Sequence, residues 1–330
     1  MIFALAITGP TASGKTALSL DLAERMAGEI ISCDSMQIYK GMDIGTAKAT
    51  AEERARVPHH LIDFLSPTEN YSVESYRASA IECAREITER GRLPIFVGGT
   101  GLYIDSVSRA LSQDAPESDP EYRERILSEI KNDEDITALW ERLRAVDPDS
   151  AEKIHKNNIK RVIRALEIYD ATGKPKSLLD KESQSADGEV FVGMITIDFH
   201  SRELLYGRVD KRVDIMMREG LLDEVRGLYD AGLLSSGTAS AAIGYKELVE
   251  YIEGRCALDE AVESLKLATR RYAKRQLTWF RHERGARVIY ADRPDGGMKG
   301  EDEMLTEALI LADELRAEFE KKKGSTADEG

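Results

Sequence analysis

Gly9-Pro10-Thr11-Ala12-Ser13-Gly14-Lys15-Thr16 follows the apolar run Ile2–Ile7 and leads into a helix-compatible stretch, Lys15–Met26. An apolar strand, a GxxxxGK[ST] loop and a helix together make a P-loop. Its backbone amides wrap phosphate oxygens, and the helix directs its positive end at them. Lys15 adds a point charge, and the Thr16 hydroxyl is a ligand for Mg²⁺. The motif sets a phosphate site but not the chemistry, because P-loops serve kinases, motors, switches and a few transferases.

The flanking segments continue the alternation. Glu29–Ser32 is a short apolar strand, and Pro58–Asp63 looks like a strand edge. Ser72–Arg90 has helical spacing with Gly91 as its stop, and Leu93–Val97 is a further strand ending in Gly98-Gly99-Thr100-Gly101. Alternating strands and helices predict a parallel sheet covered on both faces. The pattern changes after Ala110: residues 112–120 have a surface-linker composition, and Tyr122–Tyr169 is helical and highly charged. Gly173-Lys174-Pro175 breaks that run, Lys181–Glu189 reads as a mobile polar loop, and Val190–Ile197 returns to strand character. Arg202–Phe280 is mostly helical, Val288–Tyr290 reads as a last strand, and Met304–Phe319 as a terminal helix. The predicted fold is therefore α/β, a P-loop NTPase-like parallel-sheet core with a helical insertion domain. Residues 1–111 form the first part of the core, 112–189 the insertion, 190–320 the mostly helical second part, and 321–330 a disordered tail.

The 330 residues are 42% hydrophobic, enough for a sizeable core, and 60 acidic against 46 basic side chains give a net charge of −14. That excess argues for solubility and against non-specific nucleic-acid binding by the chain as a whole, although a local basic face can still bind RNA. Cys33, Cys83 and Cys256 lie far apart with no CxxC, which excludes a zinc ribbon and suits reduced thiols in a cytoplasmic protein. Ile2–Ile7 is too short to span a membrane. The expectation is a cytoplasmic monomer without membrane contact.

Leu93–Val97 ends in glycines and not in the carboxylate of a hydrolysing motor. The nearest acid in a comparable place is Asp34, just beyond the second strand, where parallel sheets keep their active sites. It could bind metal or act as a base; it could also simply cap a turn. Lys266, Arg270, Arg271, Lys274, Arg275, Arg281, Arg284 and Arg287 crowd into 22 residues with one acid, Glu283, and Trp279 and Phe280 lie among them. Residues 266, 270 and 274 share a helix face. Lys153, Lys156, Lys160, Arg161 and Arg164 form a second cluster in the insertion. Such local charge on an acidic chain points to a polyanion, and a solvated face paired with acids is the alternative.

Several stretches, in order from about residue 4 to 282, resemble one family, the tRNA dimethylallyltransferases. They are Gly9–Thr16, Asp34–Tyr39 with Gly41–Lys48, Pro58–Leu61, Val97–Tyr103, Arg161–Glu167, Ala242–Glu247 and Thr269–Phe280. Cys33 stands where the family usually has a small residue such as alanine, and Asn157-Asn158 replaces a more usual Asn-Asp. The resemblance implies transfer of a dimethylallyl group from its diphosphate to N6 of adenosine 37, in tRNAs reading codons that begin with U. It implies Asp34, Thr100 and Lys15 as catalytic residues and Mg²⁺ on Thr16. The diphosphate would be held by Gly9, Pro10, Thr11, Ala12, Ser13, Gly14, Lys15 and Thr16, completed by Arg208 and Arg212. For the anticodon stem-loop it implies Asp34, Ser35, Met36, Gln37, Thr100, Arg123, Lys160, Arg161, Val162, Ile163 and Arg164. Ala242, Ile243, Gly244, Tyr245, Lys246, Arg271, Lys274 and Arg275 complete that set. A related adenylate prenyltransferase would not need the insertion or the long basic helix. A small-molecule kinase would usually carry an arginine-rich lid, and a non-catalytic RNA-binding protein would have no use for Asp34 and Thr100 at two strand ends.

Overall fold

The computed structural model describes residues 1–108, 119–185, 188–234, 238–283 and 285–327. The chain divides into two compact units, one made of Met1–Ser108 with Glu189–Gly330 and the other of Arg109–Gly188.

The first unit begins β1 (Ile2–Thr8), α1 (Lys15–Arg25), β2 (Gly28–Ser32), α2 (Ala51–Arg56), β3 (His59–His60), α3 (Val73–Glu89), β4 (Leu93–Gly98) and α4 (Gly101–Ser108). The second unit is helical: α5 (Pro120–Glu129), α6 (Asp133–Val146), α7 (Pro148–Lys153), α8 (Ile159–Thr172) and α9 (Lys176–Ser185). The chain then completes the first unit with β5 (Val190–Asp198), α10 (Arg202–Arg218), α11 (Leu221–Asp230), α12 (Tyr245–Ile252), α13 (Leu258–Arg281), β6 (Arg287–Tyr290) and α14 (Glu301–Ala327).

Six strands pair in the order β3-β2-β4-β1-β5-β6, and every pairing is parallel. β1 sits inside the sheet, in register with both neighbours (Leu5 opposite Ile95, Ile2 opposite Val190). Its alternation divides the core by face. Leu5 and Ile7 pack with Leu22 of α1, Val209 of α10 and Ala308 of α14, whereas Ala4 and Ala6 pack with Tyr76 and Ala80 of α3. A third cluster joins α10–α13 to Ile38, Tyr39 and Met42, just beyond β2. The strand ends that carry the P-loop and Asp34 are thus fixed by packing on both sides. No helix among the described residues is long and apolar enough to cross a membrane.

In the second unit, Leu143, Ala151, Val162, Ala165 and Leu166 form a small core, flanked by Trp140. Gly173 ends α8 at φ 70°, a left-handed conformation that glycine adopts without strain, and its N–H reaches Tyr169 O at 2.7 Å.

Two expectations change. Residues 181–185, read as part of a mobile loop, belong to α9, whose polar surface conceals one buried anchor, Leu179, and a bond from Ser177 N–H to Asp147 Oδ2 at 2.9 Å. The expected disordered tail is helical as far as Ala327, because α14 extends eight residues past Phe319. Residues 328–330 and the linker positions 112–118 lie outside the described residues.

Candidate active site

The loop after β1 is shaped by backbone conformations that its small residues tolerate. Gly9 lies at φ 139°, where a Cβ would meet Ile197 O at 2.6 Å, and Gly14 caps α1 at φ 96°. Ala12 sits at φ 63°, an uncommon region for a residue with a side chain. Lys15 donates to Pro10 O at 2.7 Å. Burial pushes its pKa down to about 7, helped by the positive charge of Arg212 and opposed by Asp34. Among the described residues, the buried side-chain atoms without a hydrogen-bond partner are Ser13 Oγ, Arg212 Nε and Arg77 Nε. The first two line the same cavity as Lys15. A buried lysine beside an arginine and a serine, each of these two with an unsatisfied donor, is the signature of a site built for an anion.

Asp34 follows β2. Its Oδ1 accepts the Met36 N–H at 2.9 Å, so it does cap a turn. It is also more than a cap: burial raises its pKa, against the lowering by that bond and by Lys15 and Arg212. A carboxylate with a raised pKa beside an anion site is suited to general-base work. Cys33, its neighbour, is fully buried with Sγ 2.8 Å from Tyr76 Oη, and burial pushes the thiol up to about 12. It is a neutral packing group.

The second glycine loop follows β4. Its glycines permit close packing. A Cβ would fall 2.2 Å from Cys33 O at Gly98, 1.9 Å from Gln276 Nε2 at Gly99 and 2.1 Å from Trp279 Nε1 at Gly101. Thr100 does not line the cavity; its N–H bonds Cys33 O at 3.1 Å and its hydroxyl accepts the Ser35 N–H at 3.3 Å. Thr100 thus braces the Asp34 turn, and its side chain is hydrogen-bonded to Tyr272, which lines the cavity.

Two helices close the site. Arg208 Nε of α10 donates to Ala12 O at 2.8 Å, with Arg212 one turn on. From α13, Gln276 accepts the Thr11 N–H at 2.9 Å and donates to Gly99 O at 3.0 Å, tying the P-loop to the second glycine loop. Sequence reasoning passed over Gln276, although a polar residue on the buried face marked by Ala273, Leu277 and Phe280 was a usable signal. Tyr272, also missed, lines the cavity under the Arg275 guanidinium, 5.6 Å from its ring centroid. The cavity holds about 840 Å³. It brings together Thr11–Thr16, Asp34–Gln37, Arg208, Arg212, Ala242–Gly244, Lys246, Arg271 and Arg275. Gly9, Pro10, Tyr245 and Lys274 do not line it. Tyr245 is buried with its hydroxyl on Glu224, because its ring fills the space beneath Gly45.

The basic stripe of α13 divides. Lys266 pairs with Asp214 at 2.8 Å and Arg270 with Asp210 at 2.7 Å, both on α10. Arg281 pairs with buried Asp198 at 2.7 Å, and Arg287 with Glu318. Arg271, Lys274 and Arg275 are exposed and form no ion pair among the described residues. Arg284 lies outside those residues. In the helical unit, Arg123 and Arg164 both bond buried Glu167, at 2.9 and 2.8 Å. Burial would raise the pKa of Glu167, but these two partners and the Asp119 N–H hold it below the ordinary range. Val162 and Ile163 are buried, so their side chains are packing residues and not contact residues; Lys160 and Arg161 remain exposed on α8.

A family model described as IPP transferase matches residues 37–283, and one described as isopentenyl transferase matches residues 2–62. A protein of Geobacillus thermodenitrificans named tRNA dimethylallyltransferase is 51% identical over 280 residues, 84% of this chain and 87% of its own. One of the same name from Thermoanaerobacter sp. is 48% identical over 276 residues, 83% of this chain and 87% of its own. The full-length tRNA isopentenylpyrophosphate transferase of Bacillus halodurans superposes with a TM-score of 0.69 at 42% identity, covering 96% of this chain and 99% of that one. A eukaryotic dimethylallyltransferase acting on tRNA superposes with a TM-score of 0.75 at 30% identity, covering 88% and 74%.

Proposed function

The chain belongs to the IPP transferase family, and from that membership we propose that it transfers a dimethylallyl group from dimethylallyl diphosphate to N6 of adenosine 37 in tRNAs reading codons that begin with U. It is a prenyl-transferring enzyme of tRNA modification, working in this reading as a cytoplasmic monomer. The structural observation that supports the assignment is a cavity shared by Asp34, Lys15 and the unsatisfied Ser13 and Arg212 donors.

In the reaction, the N6 amine forms a bond to C1 of the allyl group, the C1–O bond breaks, and its electron pair leaves with diphosphate. Asp34 takes the N6 proton, for which a carboxylate of raised pKa is suited. Lys15, Arg212, Ser13 and the P-loop amides hold the leaving diphosphate as its charge develops. Arg208 keeps the loop in shape through Ala12. The P-loop then serves as a leaving-group cradle, and the glycine end of β4 supplies no carboxylate for a hydrolysing water. The target base must leave its stack to reach Asp34, and Arg271, Lys274 and Arg275 offer phosphate contacts that position the RNA without reading its sequence.

Thr16 is exposed at the start of α1, within the cavity. Among the described residues no cluster of three His, Cys, Asp or Glu side chains forms a metal cage. That donor set fits Mg²⁺ carried on a diphosphate and held by one hydroxyl, since this ion keeps several waters and leans on phosphate oxygens. When bound, it would neutralise diphosphate charge.

The test is diphosphate release from dimethylallyl diphosphate, followed with unmodified tRNA, with free adenylate and with neither. The proposal expects release only with tRNA; release with adenylate alone would replace it with the nucleotide prenyltransferase reading.

A further inference from the structure

Glu224 on α11 does not line the cavity, yet it holds two of the cavity's walls. Its Oε2 accepts the N–H groups of Asp43 at 3.0 Å and Ile44 at 2.7 Å. Its Oε1 accepts the Gly45 N–H at 3.1 Å and the Tyr245 hydroxyl at 2.6 Å. Three consecutive amides converging on one carboxylate form a small anion nest that the protein fills itself. The next two residues of the same loop are tied to the opposite side: Gln37 Nε2 donates to Thr46 O and to Ala47 O, each at 3.2 Å. Gly45 lies so close to Tyr245 that a Cβ would fall 2.6 Å from its ring. Ala47 sits at φ 49°, a conformation that persists only where the surroundings enforce it. Gly45–Ala47 and Gln37 line the cavity on one side of this connection, and Ala242–Gly244, next to Tyr245, line it on the other.

We propose that Glu224 is a positioning residue for RNA recognition: by clamping the Asp43–Gly45 amides and the Tyr245 hydroxyl, it sets the spacing of the two walls and fixes Gln37 between them. The inference rests on the reading of this cavity as the tRNA site. Glu224 touches neither substrate. Both donors of the Gln37 amide are committed to the loop, so Gln37 faces the RNA with its remaining acceptor capacity alone. Without the clamp the loop relaxes, Gln37 follows it, and RNA binding suffers while the phosphate cradle, built from other segments, stays intact.

Three variants test this. Glu224→Gln keeps the volume but turns one carboxylate oxygen into a donor facing donors. Glu224→Ala empties the nest, and Tyr245→Phe removes one of the four bonds. With the wild-type enzyme shown first to prenylate tRNA, E224Q and E224A are expected to lose at least about tenfold in kcat/KM for tRNA, as removal of several half-buried bonds to a charged group commonly does. Y245F should lose less, and the KM for dimethylallyl diphosphate should stay within about twofold in all three. Acetate should restore E224A by occupying the emptied nest, compared with chloride at equal ionic strength, and should not restore E224Q, whose amide blocks it. Unchanged tRNA kinetics in E224Q overturn the proposal. So does a diphosphate KM that rises as much as the tRNA KM, or a loss in E224A that acetate leaves untouched, since each is what a purely structural role gives. If E224A fails to fold, E224Q and Y245F decide by the same split between the two KM values. Absence of transfer by the wild type would instead refute the underlying reading.

Discussion

Burial beside Arg212 lowers the Lys15 pKa to about 7, so its charge is lost within the working pH range. Diphosphate favours the ammonium form, and binding must therefore be accompanied by proton uptake above pH 7. The direction follows from the shift. Below pH 6 the lysine is charged and contributes no pH dependence; as pH rises through 7 the binding-competent fraction falls. With a pKa of about 7, roughly one half of the enzyme carries the proton at pH 7, about one in eleven at pH 8 and about one in a hundred at pH 9. If only the charged form binds, the KM for dimethylallyl diphosphate rises about fivefold from pH 7 to 8 and about fiftyfold by pH 9. Lys15→Arg carries a guanidinium that stays charged throughout this range, so its KM profile should be flat above pH 7 even if its absolute KM is higher. Lys15→Ala should weaken the diphosphate at every pH and leave tRNA affinity nearly unchanged. The assay is initial rate against diphosphate concentration at saturating tRNA, constant ionic strength and constant free Mg²⁺. A flat wild-type KM between pH 7 and 9, or an alkaline rise that survives in K15R, would show that Lys15 protonation does not govern diphosphate binding; collapse of tRNA affinity in K15A would mean that the loop holds RNA backbone.

Asp34→Ala should slow transfer by about 10²- to 10⁴-fold while diphosphate binding, measured by calorimetry, stays close to wild type. In the wild type, kcat should rise with pH through the raised Asp34 pKa, because the base works deprotonated. Neutralising Arg271, Lys274 and Arg275 together should flatten the log–log salt dependence of tRNA binding by about two units, at roughly 0.7 to 0.9 for each RNA phosphate left without its cation, with the diphosphate KM unmoved. The same measurement on Lys160 and Arg161 tests a second RNA grip; a wild-type slope there leaves the helical unit without that role. Gln276→Ala, which unties Thr11 from Gly99, should raise the diphosphate KM more than the tRNA KM, and equal effects on both would show it to be a general packing residue.

The parts of this site legible in the sequence are those where local chemistry dictates geometry. Gly9 and Gly14 must adopt positive φ, so the P-loop announces itself, and a run such as Leu5-Ala6-Ile7 ahead of it can only be an interior strand. Asp34 was legible because a polar residue directly after an apolar strand has one place to go in a parallel sheet. Partners far apart in the chain were not legible. Nothing in the spacing of Lys266 and Arg270 says that Asp214 and Asp210 on α10 neutralise them, which removes them from the basic face. Val162 and Ile163 lie beside Arg161 in the sequence, yet a helix turns them inward. Nothing in the sequence around Gly98, Gly99 and Gly101 names their packing partners, and only the three-dimensional approach of Cys33, Gln276 and Trp279 explains them. The polar stretch 181–185 lacked an apolar stripe of its own because α9 docks through Leu179 and through bonds from Ser177 to Asp147 and from Lys181 to Asp149.

If one cavity joins the allyl group to a tRNA adenosine with Asp34 as base, mass analysis of nucleosides from unmodified tRNA incubated with the protein, dimethylallyl diphosphate and Mg²⁺ will show it. The expected result is one added dimethylallyl group per tRNA, located on adenosine 37, and none when D34A replaces the wild-type chain. Unmodified adenosine 37 with the wild type, or full modification with D34A, would contradict it.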